Sequence, residues 1–452
     1  MKSLTLDRIA RMCRGRIVSG RGDETFDAVC IDSRLAKQGS VFFALKGEVT
    51  DGHLYIEKAV ETGAGCVITD HETDCFGACQ IVTEDTFKAL QDMAAAYRDM
   101  FDIPFVGVTG SSGKTTNKDL IASVLSQKYD VLKTFGNLNS TTGVPLTLFD
   151  LEDHHQIAVI EMSMSAPGEI LGNAAIVRPD TAVITNVGTA HIEFLGSREN
   201  IFRAKSEIMA YMHEGNRLIV NGEDDMLSTI SDTPYDVVMV GIDHGDLRAY
   251  DIFQGHDSVS FSCRYAGCDE RFTFGYVGTH NIINCLNAIA VAEIYGLSPE
   301  QVQAGFNCFE PSSNRMQIVQ AGGMTLINDA YNANYEAFSA AMDFLCRRAE
   351  GRKVVVASDM YELGEFSPQL HRRTGERAAE LGVDLLIACG EYIDSYRDGY
   401  LSSGGAECVV FPDRDSMAAE LKKLLKAGDT VLFKASRGVK LEEVFNSLKE
   451  NL

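Results

Sequence analysis

Residues 105–116 read FVGVTGSSGKTT, an apolar run that breaks into a glycine-rich loop and then into a helical pattern. Strand, tight loop and helix in that order are the opening unit of an α/β sheet, so this segment constrains the chain more than any other. Backbone N–H groups in such a loop and at the start of its helix point at an anion, and a triphosphate fits them. Here Thr109, Gly110, Ser111, Ser112, Gly113, Lys114, Thr115 and Thr116 form the cradle. Gly110 and Gly113 let the chain come close, Lys114 supplies a point charge, and the Thr115 hydroxyl is placed to ligate Mg2+. The strict G-x-x-x-x-G-K-[ST] spacing would need glycine at Val108; the glycines stand at 107, 110 and 113 instead. The bland alternative for these residues is a glycine-rich strand-to-helix turn with an incidental lysine.

A length of 452 residues is too much for one core and suggests about three domains. No window approaches the ~18 uninterrupted apolar residues of a membrane span, and the start, MKSLTLDRIARMCRG, is charged where a signal peptide is apolar. A cytoplasmic enzyme is therefore expected. The formal charge of −23 argues against binding nucleic acid or an anionic membrane. Twelve cysteines are scattered singly; Cys75/Cys79 and Cys263/Cys268 lack the second pair or nearby histidines of a zinc site and read as reduced thiols.

Residues 1–103 alternate short helical and strand patterns, with strands expected at 27–32, 41–45 and 66–69 and helices around 6–13 and 87–100. From 104 to 311 strands and helices alternate as in a doubly wound, mostly parallel sheet, and 248–277 changes to the alternation of antiparallel ribbons before a helix near His280. After the stretch Glu310 to Arg315, residues 312–452 repeat the strand–helix alternation and predict a Rossmann-like third domain. The fold expected is thus α/β in three domains, bounded at 1–103, 104–311 and 312–452.

Glu161 ends the strand pattern IAVIE, and His191 follows the strand pattern TAVI. Carboxyl ends of strands form the ligand crevice of an open α/β sheet, where Lys114 must also lie. Taken singly, each reads as a hydrogen-bonded strand-end residue; beside a phosphate loop, with Thr115, they form a set able to hold Mg2+. Lys205, within RENIFRAKSEI, reads on its own as a solvent-facing helical lysine paired with a nearby glutamate.

These residues together resemble the Mur ligases, ATP-dependent amide ligases of peptidoglycan synthesis, and the resemblance runs through essentially the whole chain. The family loop T-G-[ST]-x-G-K-[ST]-T is matched by Thr109 to Thr116. Asp32-Ser33-Arg34, Val41 to Gly47 and Asp51-Gly52-His53 resemble the UDP-sugar-binding segments, Gly136 to Asn139 with Gly143 to Leu146 an acceptor-contacting segment, and Gly278 to Asn284 the helix start that reads adenine. Asp329 to Asn334, Asp359 to Glu365 with His371, and Lys434 to Gly438 resemble the branch that joins D-alanyl-D-alanine to a UDP-N-acetylmuramoyl-tripeptide; the Asp-Asn-Pro-Arg signature of the diaminopimelate-adding branch is absent.

The resemblance implies roles. Lys114 and the loop amides would hold the β- and γ-phosphates of ATP, Thr115, Glu161 and His191 would hold Mg2+, and Lys205 would be the family's carbamylated lysine. Asn281 would face adenine, with Arg315 and Asp329 approaching the nucleotide from the third domain. Ser33, Arg34, Lys46, Asp51 and His53, together with Asn137, Asn139, Tyr331, Asn332, Asn334 and Arg437, would contact the two small-molecule substrates of a monomeric enzyme. This chain has Tyr335 where the family's motif has proline, and Ser163, Ser358 and Ala435 where glycine is common. Glycine replaced by serine or alanine matters only where φ is positive or a ligand touches the backbone. These departures leave open a related ligase with a different amine or acceptor. A nucleotide-binding regulatory or structural protein that has lost catalysis, and a motor or transport ATPase, fit the retained residues and the amino-terminal segments less well.

Overall fold

A computed structural model describes residues 1–47, 49–311 and 315–451. Ser312, Ser313 and Asn314, where the third unit is expected to begin, lie outside the described residues.

The strand Phe105–Thr109 is buried along its whole length. It lies inside a seven-stranded, all-parallel sheet, flanked on one side by Thr181–Ile184 and on the other by Ile157–Glu161. A strand covered on both faces reads as a continuous apolar run, which is why this one was legible. Outward from Ile157–Glu161 lies Val131–Lys133; outward from Thr181–Ile184 follow Arg217–Asn221, Asp236–Gly241 and the short Leu247–Arg248. The chain leaves Phe105–Thr109 toward one edge, returns through Ile157–Glu161 and then continues on the other side. That reversal opens a crevice at the carboxyl ends of the three middle strands. An antiparallel ribbon, Tyr250–Gln254, Val259–Tyr265 and Cys268–Phe274, follows as expected. Its inward rings Phe261, Phe272 and Phe274 pack with Phe306, from the helix Pro299–Asn307, and Phe309 into one aromatic cluster.

The first hundred residues form a five-stranded sheet in which Ala28–Cys30, Ser40–Phe43, Ala64–Thr69 and Cys79–Val82 run parallel and Arg16–Ser19 pairs antiparallel at an edge. The last part holds a six-stranded sheet. Its edge strand Gln317–Ala321 is antiparallel to Met324–Asn328, and the parallel strands Thr430–Lys434, Lys353–Ala357, Leu385–Cys389 and Glu407–Phe411 follow in that spatial order. The edge hairpin was not expected. All twelve cysteines are free thiols, eight of them buried. Among the described residues no helix is long and apolar enough to cross a membrane.

Candidate nucleotide and ligase site

Gly110 enters the loop with φ +152°, and a Cβ there would meet the Thr185 Oγ1 atom at 1.8 Å. Gly113 caps the helix Lys114–Leu125 with φ +77°. Both demand glycine, one by contact and one by backbone conformation. The strand end beside them fixes the loop: Ser111 N–H donates to the Asn186 carbonyl at 3.0 Å and Ser112 N–H to Asn186 Oδ1 at 2.9 Å. Thr185 Oγ1 donates to the Ser112 carbonyl at 2.6 Å. Thr185 and Asn186 were not singled out from sequence, although Asn186 stands in the segment leading to His191.

Lys114 Nζ donates back to the Gly110 carbonyl at 2.8 Å, curled over the cradle. Burial lowers its basicity and the nearby Glu161 charge opposes that. Thr115 Oγ1 donates to Glu161 Oε1 at 3.2 Å, and Asn139 Nδ2 donates to the same oxygen at 2.7 Å. The other carboxylate oxygen, Oε2, is buried with no hydrogen-bond partner among the described residues. His191 is not hydrogen-bonded to either Thr115 or Glu161; its Nδ1 lies 2.5 Å from Glu362 Oε2 in the third unit. That proximity holds the Glu362 carboxyl below the usual range.

Lys205 corrects the surface reading. It lies in the helix Arg198–Ser206 and is 1% exposed, among the largest buried side chains of the chain. Burial pushes its amine well below the ordinary lysine range, and the Lys114 charge pushes the same way.

An asparagine chain supports the loop from behind. Asn281 Oδ1 accepts from Asn284 Nδ2 at 3.2 Å, Asn284 Oδ1 accepts from Asn117 Nδ2 at 2.7 Å, and Asn117 Oδ1 accepts from Asn287 Nδ2 at 2.9 Å. Asn281 also donates to the Val277 carbonyl at 2.9 Å. The helices Thr279–Ile294 and Lys114–Leu125 are thereby locked at the phosphate end.

The third unit closes the other wall. Arg315 Nη2 donates to Thr115 Oγ1 at 3.0 Å, and its guanidinium lies 4.0 Å from the Tyr331 ring centre. Arg437 approaches the same ring at 5.0 Å and donates to the Tyr331 hydroxyl at 3.1 Å. Asp329 pairs with the buried Lys434, which also donates to the Asn332 carbonyl at 3.1 Å. Asn334 caps the helix Tyr335–Arg348 and its Nδ2 reaches the Ser111 carbonyl at 3.5 Å. Two residues on, Glu336 accepts from Thr189 N–H at 3.1 Å and Thr189 Oγ1 at 3.0 Å. Lys434, Glu336 and Glu362 were not among the expected site residues.

These walls enclose a cavity of about 340 Å³. Its lining includes Ser111 to Thr116, Asn137, Asn139, Glu161, His191, Asn281, Arg315, Asp329, Tyr331, Asn332 and Asn334. Lys205 and Arg437 are not part of that lining, and none of Ser33, Arg34, Lys46, Asp51 and His53 is. The last five follow the carboxyl ends of Ala28–Cys30 and Ser40–Phe43 in the first sheet. There Arg34 forks onto Asp32 at 2.9 and 2.6 Å, holding that carboxyl at about 2. Lys46 and Asp51 form an isolated antiparallel backbone bridge, and the Asp51 carboxylate accepts from the His53 N–H.

The four departures leave the backbone intact. Tyr335 is the first residue of its helix, the position where proline would also sit, and Asn334 supplies the cap; the Tyr335 ring lies 4.2 Å beneath the Arg373 guanidinium. Ser163, Ser358 and Ala435 all have negative φ. Ser163 Oγ donates to Asn139 Oδ1 at 2.9 Å, and Ser358 Oγ to the Cys389 carbonyl at 2.8 Å.

A phosphate loop on one sheet, facing a cationic wall on a second, defines an enzyme that activates a substrate with a nucleoside triphosphate. Three family signatures match in order: the Mur ligase family catalytic domain over residues 25–104, the Mur ligase middle domain over 108–292, and the Mur ligase glutamate ligase domain over 314–437. The chain belongs to the Mur ligase family. It is 35% identical to the UDP-N-acetylmuramoyl-tripeptide–D-alanyl-D-alanine ligase of Bacillus subtilis over 99% of this chain and 98% of that one. To the enzyme of the same name from Escherichia coli it is 32% identical, covering 100% and 99%. Among solved structures, MurF from Acinetobacter baumannii superposes with a TM-score of 0.93 at 30% identity, covering 100% of this chain and 99% of that one. MurF from Thermotoga maritima in complex with ADP gives 0.83 at 29% identity over 94% and 97%.

Proposed function

We propose that this chain joins D-alanyl-D-alanine to a UDP-N-acetylmuramoyl-tripeptide with ATP, as a monomer in the cytoplasm. The observation that carries the reading is the shared cleft, in which Lys114, Thr115 and Glu161 face Arg315 and Tyr331 from another sheet. Relatives matched over nearly their full length carry this activity in their names, and the explained departures give no reason to favour a different amine.

The reaction needs two steps, because a free carboxylate has no adequate leaving group. The terminal carboxylate oxygen of the tripeptide attacks the γ-phosphorus, the bond to the β-bridging oxygen breaks, and ADP departs, leaving an acyl phosphate. The dipeptide amine then attacks the acyl carbon; phosphate leaves the tetrahedral intermediate and the nitrogen loses its proton. Lys114 and the amides of residues 110–116 hold the β- and γ-phosphates and stabilise charge in the first transfer. Arg315 adds positive charge on the opposite side, and Asp329 holds the neighbouring Lys434 in place.

Oxygen donors from Thr115 and Glu161 suit a hard ion, and the unpartnered Glu161 Oε2 has a lone pair to give. These two, with His191 once freed from Glu362, would hold Mg2+, which would neutralise phosphoryl oxygens. Lys205 fits carbamylation, since that reaction needs a neutral amine and burial favours one. Asn281 would sit at the adenine end. Residues 1–103, through Ser33, Arg34, Lys46, Asp51 and His53, would hold the UDP end of the acceptor, and Asn137 and Asn139 its peptide side. Residues 104–311 would hold ATP, and residues 312–452, through Tyr331, Asn332, Asn334 and Arg437, the dipeptide.

The test is phosphate release with Mg-ATP and the UDP-N-acetylmuramoyl-tripeptide, in diaminopimelate and lysine forms, with and without D-alanyl-D-alanine. Release that requires the dipeptide and yields the pentapeptide mass is expected. Turnover only with another amine would overturn the substrate assignment, and no release with any acceptor would overturn the ligase reading.

A further inference from the structure

Away from the cleft, at the carboxyl end of the strand Ala64–Thr69, lies the only group of three histidine, cysteine or acidic side chains among the described residues whose ligand atoms all fall within 4.8 Å of one another: His53, Asp70 and His71. From these residues we propose a second metal site, for a borderline divalent ion of the Zn2+ type, built on the amino-terminal sheet.

His53 is already oriented as a ligand. Its Nδ1 lies 2.7 Å from Asp51 Oδ1, while its Nε2 accepts from the Asp70 backbone N–H at 3.4 Å. With Nε2 accepting from that N–H the proton is on Nδ1, and a metal would take the Nε2 lone pair in place of this long hydrogen bond. A carboxylate behind the far nitrogen of a histidine is the usual support of a metal-bound imidazole, fixing tautomer and ring angle. The ring has little freedom otherwise, since the His53 side chain is only 10% exposed.

Asp70 Oδ1 lies 3.2 Å from His53 Nε2 and is in contact with His71 Nδ1, so one oxygen stands between two imidazoles. With metal–ligand bonds of roughly 2.0–2.2 Å, ligand atoms on a tetrahedral shell are about 3.3 Å apart. The first pair meets that spacing as it stands. His71 is exposed, and its ring lies 4.9 Å from that of His53 at 24° to it, so a small side-chain rotation completes the set. Its backbone is fixed meanwhile: the His71 carbonyl accepts from Thr69 Oγ1 at 2.8 Å and Gln80 Nε2 at 3.2 Å.

Two nitrogens and one oxygen, with the fourth position open to solvent, select zinc-like ions over Mg2+, which requires octahedral oxygen ligands. The ion would tie the turn Gly52–Tyr55 to the end of Ala64–Thr69.

The test uses the full chain, stripped of metal and titrated with Zn2+ by calorimetry and with Co2+ by visible absorption. One Zn2+ per chain is expected that 5 mM Mg2+ does not displace, together with d–d bands of a nitrogen- and oxygen-ligated Co2+. Asp70→Asn and His71→Ala, both at exposed positions, should each weaken that site at least tenfold without changing the thermal midpoint of the metal-free protein. Asp51→Asn should weaken it about 10- to 100-fold by releasing the His53 ring. Unchanged Zn2+ uptake in Asp70→Asn and His71→Ala would overturn the proposal. So would a thiolate-to-cobalt charge-transfer band in place of the d–d bands, because the ion would then sit on cysteines.

Discussion

Arg315 donates to the Thr115 hydroxyl across 3.0 Å, so a single side chain joins the phosphate loop to the segment entering the third sheet. The guanidinium is held there by the Tyr331 face, 4.0 Å away. Both interactions depend on a planar, delocalised cation. Arg315→Ala is expected to lower kcat/KM for ATP roughly 10- to 100-fold, the equivalent of about 1.5–3 kcal/mol for a hydrogen bond to a charged group. Arg315→Lys should recover little, since an ammonium neither stacks nor forks. Steady-state phosphate release checks both, and an unchanged kcat/KM in the alanine variant would take Arg315 out of the nucleotide site.

Lys205 sets stability against activity. Its amine is buried, and no hydrogen-bond or ion-pair partner is found for it among the described residues, so the unmodified side chain is a cost to the fold. The folded-state proton affinity is lowered, so the penalty is small at the ordinary lysine pKa and grows as pH falls below it. Lys205→Met should therefore raise the thermal midpoint at pH 7, on the order of 3 °C in carbon-dioxide-depleted buffer, and by less at pH 10. On the proposed reading of Lys205 as a carbamylated lysine, the same change should also lower turnover by at least about 100-fold, because the variant has no amine to carry the carbamate. Wild-type turnover should rise with added bicarbonate and the variant's should not. A variant that is both less stable and fully active would defeat this account.

That lysine also shows where reading the sequence stops. A lysine in RENIFRAKSEI has the local pattern of a solvated helix face; its burial comes from what the helix packs against, which no local period records. The strand at 105–109 and its loop were legible because buried parallel strands are uninterrupted apolar runs and because Gly110 and Gly113 answer local backbone demands. The strands Val131–Lys133 and Leu247–Arg248 are too short to show a period. The helix Pro299–Asn307 did carry its own start signal, Ser298 with Gln301 in a reciprocal capping box, and was missed. Contacts such as Glu336 with Thr189 span 147 positions and leave no trace in composition or spacing, so the third unit's share of the site was visible only through its motifs.

Glu362 reports on the same closure through pH. His191 beside it lowers its proton affinity in the folded chain, so the contact stabilises the fold above the ordinary glutamate range and is lost as pH falls through the lowered value. Glu362 is nearly half exposed, and solvent screening keeps the contribution to roughly 0.5 kcal/mol. Glu362→Gln should lower the thermal midpoint by about 1 °C at pH 7 and leave it unchanged near pH 3. Scanning calorimetry at the two pH values checks the sign. A larger effect in acid than at neutrality would mean that the carboxylate is not held by His191.

Asn117 carries the most connected polar contact behind the phosphate loop. Its side chain donates to the Gly113 carbonyl at 2.9 Å and to Asn284 Oδ1 at 2.7 Å, and accepts from Asn287 Nδ2 at 2.9 Å, the last two in a buried setting. The Gly113 carbonyl keeps a second partner, the Asn117 backbone N–H, so truncation leaves two groups unpaired, Asn284 Oδ1 and Asn287 Nδ2. Each buried orphan costs about 1–3 kcal/mol, so Asn117→Ala should destabilise by roughly 3 kcal/mol and lower the unfolding midpoint of a unit this size by roughly 6–12 °C. If the side chains act as one network, Asn284→Ala added to Asn117→Ala should cost much less than the sum of the two single changes, because the second substitution removes an acceptor the first had already stranded. Strictly additive midpoints in the double variant would show that the asparagines contribute independently and not as one network.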